Sequence, residues 1–148
     1  MLRIVDLNRN DGQPLEFTEA SFLKEAVVTS IKEVLYSGIF KHPTGTLANS
    51  IQAFVSGQSI YIISELPYAD AQDKGVAPHI MWYLYGKVVP IRTYRFGQSQ
   101  VIFRKATLQS FLRGGWRHPG ISPKEFIGQG IDRAMVGFGN YNYTVRMP

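Results

Sequence analysis

The sequence predicts an α+β fold: an antiparallel sheet of two hairpins packed against a long N-terminal helix, with a C-terminal helix and an extended tail. Three observations predict it. A strong helical periodicity lies near the N-terminus, two pairs of β-branched or aromatic runs are each split by a glycine-bearing turn, and a second helical pattern follows a proline. The 148 residues read as a single domain, 1–148, with an N-terminal arm at 1–17, a core at 18–136 and a C-terminal tail at 137–148.

The long helix is predicted over residues 18–37. Thr18 stands at its cap, Phe17 and Phe22 at the staple positions around that cap, and Gly38 at its stop, while Leu23, Val27, Ile31, Val34 and Leu35 recur at helical spacing. Lys41 to Gly45 reads as a loop and Thr46 to Ser50 as a helical turn. Ile51 to Ser56 and Ser59 to Glu65 form the first hairpin around Gly57-Gln58, in the glycine-first order of a type II′ turn. Pro67 and Gly75 bracket Tyr68 to Lys74 as a short helix.

Lys87 to Arg95 and Gln100 to Lys105, flanking Gly97-Gln98-Ser99, form the second hairpin, with Pro90 favouring an edge or strand start. Leu108 to Gly115 reads as a loop. Ser122-Pro123-Lys124-Glu125 is a capping box that opens a helix over residues 123–136. Gly128 and Gly130 each weaken that helix by about 1 kcal/mol, so each marks either a close backbone approach or a tolerated surface position. The tail alternates like a strand, with Tyr141, Tyr143 and Val145 as candidate contacts. It is expected to add to a sheet in a neighbouring copy or to fray.

Between Lys74 and Lys124 stand nine lysines and arginines without one aspartate or glutamate, whereas residues 1–73 have a net charge of −4 and residues 125–148 are neutral. Charge separated in this way attracts a polyanion or an acidic protein surface. The candidate basic interface is Lys87, Arg92, Arg95, Arg104, Lys105, Arg113 and Arg117. The candidate acidic interface is Glu65, Asp70 and Asp73. Charged residues make up only 18% of the chain and aromatics 13%, which predicts aromatic surface covered by a partner.

The absence of cysteine excludes disulfides and thiolate chemistry. No apolar run approaches the roughly 18 residues that a membrane span needs. The early charges of Met1-Leu2-Arg3-Ile4-Val5-Asp6 predict no secretory signal, hence a cytosolic product or a component of something assembled in the cytosol.

Reactive chemistry finds little support. There is no Gly-x-Ser-x-Gly elbow, and Gly86-Lys87 is followed by Val88 without the glycine-rich lead-in of a phosphate-binding loop. His42, His79 and His118 each neighbour a proline, with no carboxylate at ligand spacing. Asp70 and Asp73 share a helical face, a spacing that suits acid–base chemistry and equally a salt bridge. The chain is expected to be no enzyme, with no catalytic residue, cofactor or metal. Arg92, Tyr94, Arg95, Phe96, Phe103, Arg104 and Lys105 interleave in a way that suits phosphates and bases, so a small basic nucleic-acid-binding module is the alternative.

Several patches, taken in order, resemble the tail-completion and head–tail joining (neck) proteins of tailed bacteriophages. They are Thr44-Gly45-Thr46-Leu47 with Ser50-Ile51, Tyr68-Ala69 with Asp73-Lys74-Gly75, Pro78-His79, Gly86-Lys87-Val88, His118-Pro119-Gly120 and Phe126. The chain departs from that pattern in having Asp73 for a glutamate, Lys124-Glu125-Phe126-Ile127 for a proline-phenylalanine-leucine run, and a longer Thr107 to Gly115 loop. The resemblance implies a virion structural protein forming a ring, six-fold in such families, at the neck or upper tail. Its implied partners are copies of itself, other neck, portal or connector and tail-tube proteins, and packaged DNA by non-specific contact; no membrane is implied. Tail terminator, connector stopper and adaptor remain separate possibilities.

Overall fold

Residues expected to form an N-terminal arm instead make β1 (Leu2–Arg9), an inner strand of a four-stranded antiparallel sheet. In the computed structural model residues 1–40, 43 and 45–148 are described; most of the loop expected at Lys41 to Gly45, including His42, lies outside them. The chain divides into two compact units, Met1–Gly75 with Ser122–Pro148, and Val76–Ile121.

In the first unit, α1 (Phe17–Leu35) buries Ala20, Leu23, Val27, Ile31, Val34 and Leu35. The staple does not form: Phe17 and Phe22 are both exposed, and Leu15 is the buried side chain that leads into the helix. A short α2 (Thr46–Ser50) precedes β2 (Gln52–Ser56) and β3 (Ser59–Ile63), which pair as the expected hairpin with Ser56 opposite Ser59. Gly57 has a positive φ of 60° and Gln58 does not, as a type II′ turn requires. The short helix α3 (Ala69–Lys74) ends at Gly75, again at positive φ.

After the second unit the chain returns as α5 (Phe126–Met135) and β8 (Tyr141–Arg146). The sheet order is β2-β3-β1-β8. The tail expected to reach a neighbouring copy therefore pairs with β1 of its own chain, Val5 opposite Val145 and Leu7 opposite Tyr143. Burial explains the preference: Val5 and Leu7 sit on the covered sheet face beside Ile60 and Ile62, and the strand that flanks them completes that face. Against it lie α1 and α5, with Phe126, Ile127 and Ile131 in the same cluster.

In the second unit, β4 (His79–Ile80) pairs with β7 (Arg117–His118), and a 3-10 turn spans Trp82–Leu84. The second hairpin, β5 (Val88–Arg95) and β6 (Gln98–Lys105), is a two-stranded sheet of its own, so the two hairpins do not share one sheet. Its turn is Phe96-Gly97, both at positive φ (52° and 76°), which is the type I′ pattern. The segment expected as a loop contains α4 (Leu108–Leu112), held by reciprocal Thr107 and Ser110 bonds. Trp82 and Tyr85 pack on Phe111.

Gly130 is the close backbone approach that the sequence leaves open. A Cβ there would lie 2.5 Å from Ile31 Cγ1 and 2.7 Å from its Cα, whereas one on Gly128 meets nothing within 4 Å. Gly130 thus sets how near α5 lies to α1. Gly130→Ala is expected to lower unfolding stability by about 1–3 kcal/mol through overpacking, and Gly128→Ala to raise it by about 0.5–1 kcal/mol. Urea denaturation of both variants distinguishes the two positions.

Candidate functional site

The carboxylates expected as an acidic interface occupy different environments. Glu65 is exposed, beyond the end of β3. Asp73 is buried, and so is Arg3, whose guanidinium reaches Asp70 at 2.7 Å and Asp73 at 3.1 Å. The second oxygen of Asp73 accepts the backbone N–H of Ile127 at 3.1 Å. This bond caps α5 in place of the expected Ser122–Glu125 box. That box does not form, because the Lys124 and Glu125 amides donate to the Gln72 and Asp73 carbonyls and Glu125 itself takes a left-handed φ of 51°. Hydrogen bonding to Arg3 holds the Asp70 carboxyl below the usual aspartate range, with Lys74 adding to the effect. Such an arrangement tethers segments and offers no free acid–base pair.

The tail tyrosines are likewise engaged within the first unit. Tyr141 donates to Glu19 at 2.5 Å and Tyr143 donates to Asp132. Each hydrogen bond to a carboxylate raises that phenol's pKa. Val145 lies opposite Val5 and remains partly exposed.

All seven residues of the candidate basic interface lie in the second unit and are exposed. That unit, Val76–Ile121, carries these seven cations and no carboxylate; all 11 acidic residues of the chain belong to the first unit. Register sorts the hairpin cations. Arg92 opposite Val101 and Lys105 opposite Val88 share a face with the pairs Pro90–Phe103 and Tyr94–Ser99, whereas Arg95 and Arg104 point to the other side. Lys87 precedes β5, Arg113 follows α4 and Arg117 lies in β7.

Every residue on the Arg92 and Lys105 face is exposed, including Tyr94 at 74%, Phe103 at 69% and Val88 at 61%. The opposite face is less open, with Val89, Ile91, Thr93 and Ile102 half-buried. In the whole 46-residue unit only Ala106 and Phe111 are buried. So small a core leaves a hairpin marginal by itself, and an exposed face that mixes five apolar side chains with Arg92 and Lys105 has the composition of an interaction surface. Sequence reasoning singled out the arginines and aromatics here but missed Val88, Pro90 and Val101. The two-residue turn fixes which side they share, and a phenylalanine at its first position gives no turn signal.

His79 and His118 stack across β4 and β7 with ring centroids 5.0 Å apart, and no carboxylate belongs to their unit. Among the described residues no cluster of histidines and carboxylates is suited to hold a metal ion, and no helix is long and apolar enough to cross a membrane. No protein-family model matches the chain, and neither a curated protein nor a solved structure matches it.

Asp73→Ala would leave a buried guanidinium with one partner fewer and the Ile127 amide uncapped. It is expected to cost about 3 kcal/mol of stability, while Glu65→Ala changes stability by less than about 0.5 kcal/mol; urea midpoints test both. Asp70, with its pKa depressed in the folded chain, stabilises the fold above the ordinary aspartate value of about 3.9, and that contribution is lost as pH falls through its lower folded value. Unfolding at pH 7 and pH 3 is therefore expected to show a smaller acid-induced loss in Asp70→Asn than in the unmodified chain.

Proposed function

We propose that this chain is a virion structural protein of a tailed phage, which assembles with copies of itself into an oligomeric ring at the neck and completes the tail at the head–tail interface. The uncovered apolar and cationic face of the β5–β6 hairpin carries the assembly part of this reading, because a 46-residue unit with two buried side chains needs a partner surface. The place in the virion rests on the resemblance of the ordered sequence patches to neck proteins. In this reading the protein works by shape and surface polarity and has no reactive centre. Its other partners are neck, portal or connector and tail-tube proteins, with packaged DNA a non-specific neighbour.

A small basic nucleic-acid-binding module is the second reading, favoured by seven cations without a carboxylate in one unit that also exposes Trp82, Tyr83, Tyr94 and Phe96. Light scattering across a concentration series separates the two. Assembly towards about 100 kDa, six times the 16.7 kDa chain, is expected from the ring reading. A persistent monomer that binds single-stranded oligonucleotides with an affinity falling steeply with salt overturns it in favour of the second reading.

A further inference from the structure

The outward side of α1 carries chemistry complementary to the hairpin face. The buried stripe of this helix occupies one side, and the opposite side presents Phe22, Glu25, Thr29 and Glu33, with Tyr36 just past the helix end, all exposed. Glu33 makes no ion pair among the described residues, and Glu25, itself open to solvent, pairs with the adjacent half-buried Lys24 at 3.0 Å and lines a surface hollow with Arg133, a neighbour-residue pairing of the kind that contributes little. This stripe combines two carboxylates with an aromatic at each end.

The spacings also agree. Glu25 and Glu33 are eight residues apart on a helix, about 12 Å along its axis. Arg92 and Lys105 stand four register steps apart along the hairpin, about 13 Å. Between them lie Pro90 and Phe103, and beyond Arg92 lies Tyr94, so apolar groups sit between and beside the charges on both surfaces.

We infer that the exposed face of the β5–β6 hairpin docks on the outward stripe of α1 in a second copy of this chain, with Arg92 and Lys105 meeting Glu25 and Glu33. The inference rests on the self-assembly reading and deepens it by naming the two surfaces. A polyanion is the poorer occupant, because five of the eight side chains on this face are apolar and three of those, Val88, Pro90 and Val101, have no ring to stack on a base and no charge for a phosphate. The contact joins two different surfaces, so each copy gives one and receives one, as a closed ring requires.

Two charge-reversed forms of the full chain test the pairing: Arg92→Glu with Lys105→Glu, and Glu25→Lys with Glu33→Lys. All four positions are exposed, and unchanged circular dichroism confirms folding of each form. Sedimentation over a concentration series is expected to show each form assembling about a hundredfold less readily than the unmodified chain. An equimolar mixture is expected to recover assembly, since both resulting contacts again pair opposite charges; a single chain carrying all four changes is expected to recover it too. If the unmodified chain assembles and the reversed forms match it, or their mixture fails to recover, the docking inference falls and the assembly reading stands. If the unmodified chain stays monomeric at every concentration, both fall. Loss of single-stranded oligonucleotide binding in Arg92→Glu with Lys105→Glu, on a monomeric background, assigns the face to a polyanion and overturns the inference.

Discussion

The buried contact of Arg3 with Asp73 is the constraint on which the first unit depends. It ties three segments far apart in sequence: a guanidinium from β1, a carboxylate from the last turn of α3, and through that carboxylate the first turn of α5. Ionic groups removed from water are expensive unless every partner is supplied. Here they are. Arg3 reaches two carboxylates and the Leu2 carbonyl, Asp73 accepts both the guanidinium and an amide, and among the described residues no buried side-chain polar atom lacks a partner. The contact specifies where the chain must return. Only two residues after Asp73, at Gly75, the first unit is interrupted; it resumes at Ser122, with Lys124 and Glu125 donating to the carbonyls of Gln72 and Asp73.

The same constraint explains which parts of the fold were legible in the sequence. The long helix, the β2–β3 hairpin, the α3 stop at Gly75 and the alternation of the tail are local signals, and each appears within a residue or two of its expected place. The Ser122–Glu125 box failed for a non-local reason. Its amides were claimed by carbonyls some fifty residues earlier, and a carboxylate from another helix supplied the cap. Conversely, the Thr107–Ser110 box went unrecognised because its third position carries serine, whose short hydroxyl still reaches the Thr107 amide at 2.9 Å. The role of β1 was missed too. Its eight residues mix Arg3, Asp6 and Asn8 with apolar neighbours, and nothing local states that two other strands will cover both of its edges.

The candidate site divides along similar lines. Charge is countable in a sequence, and the run of cations without a counter-charge marked the second unit almost to its boundaries. Which cations act together is a property of register, and register depended on a turn opened by Phe96, a bulky residue at positive φ where asparagine or aspartate is the usual signal. On the acidic side, composition could not distinguish Asp73 from Glu65. One is buried as an internal tether and the other is open to solvent.

Buried apolar residues and uncompensated positive charge are therefore separated along this chain. The first unit holds all the carboxylates and nearly all the buried apolar residues. Seven like charges confined to the second unit repel one another, though salt screens exposed charges lying farther apart than the Debye length of about 8 Å, and two buried side chains give that unit little packing energy to oppose the repulsion. A surface bearing carboxylates and aromatics relieves both deficits at once, neutralising charge and covering the rings. The hairpin is thus the part of the molecule whose stability gains most from association, and the outward side of α1, offering carboxylates at matching intervals, is a surface that every further copy of the chain provides.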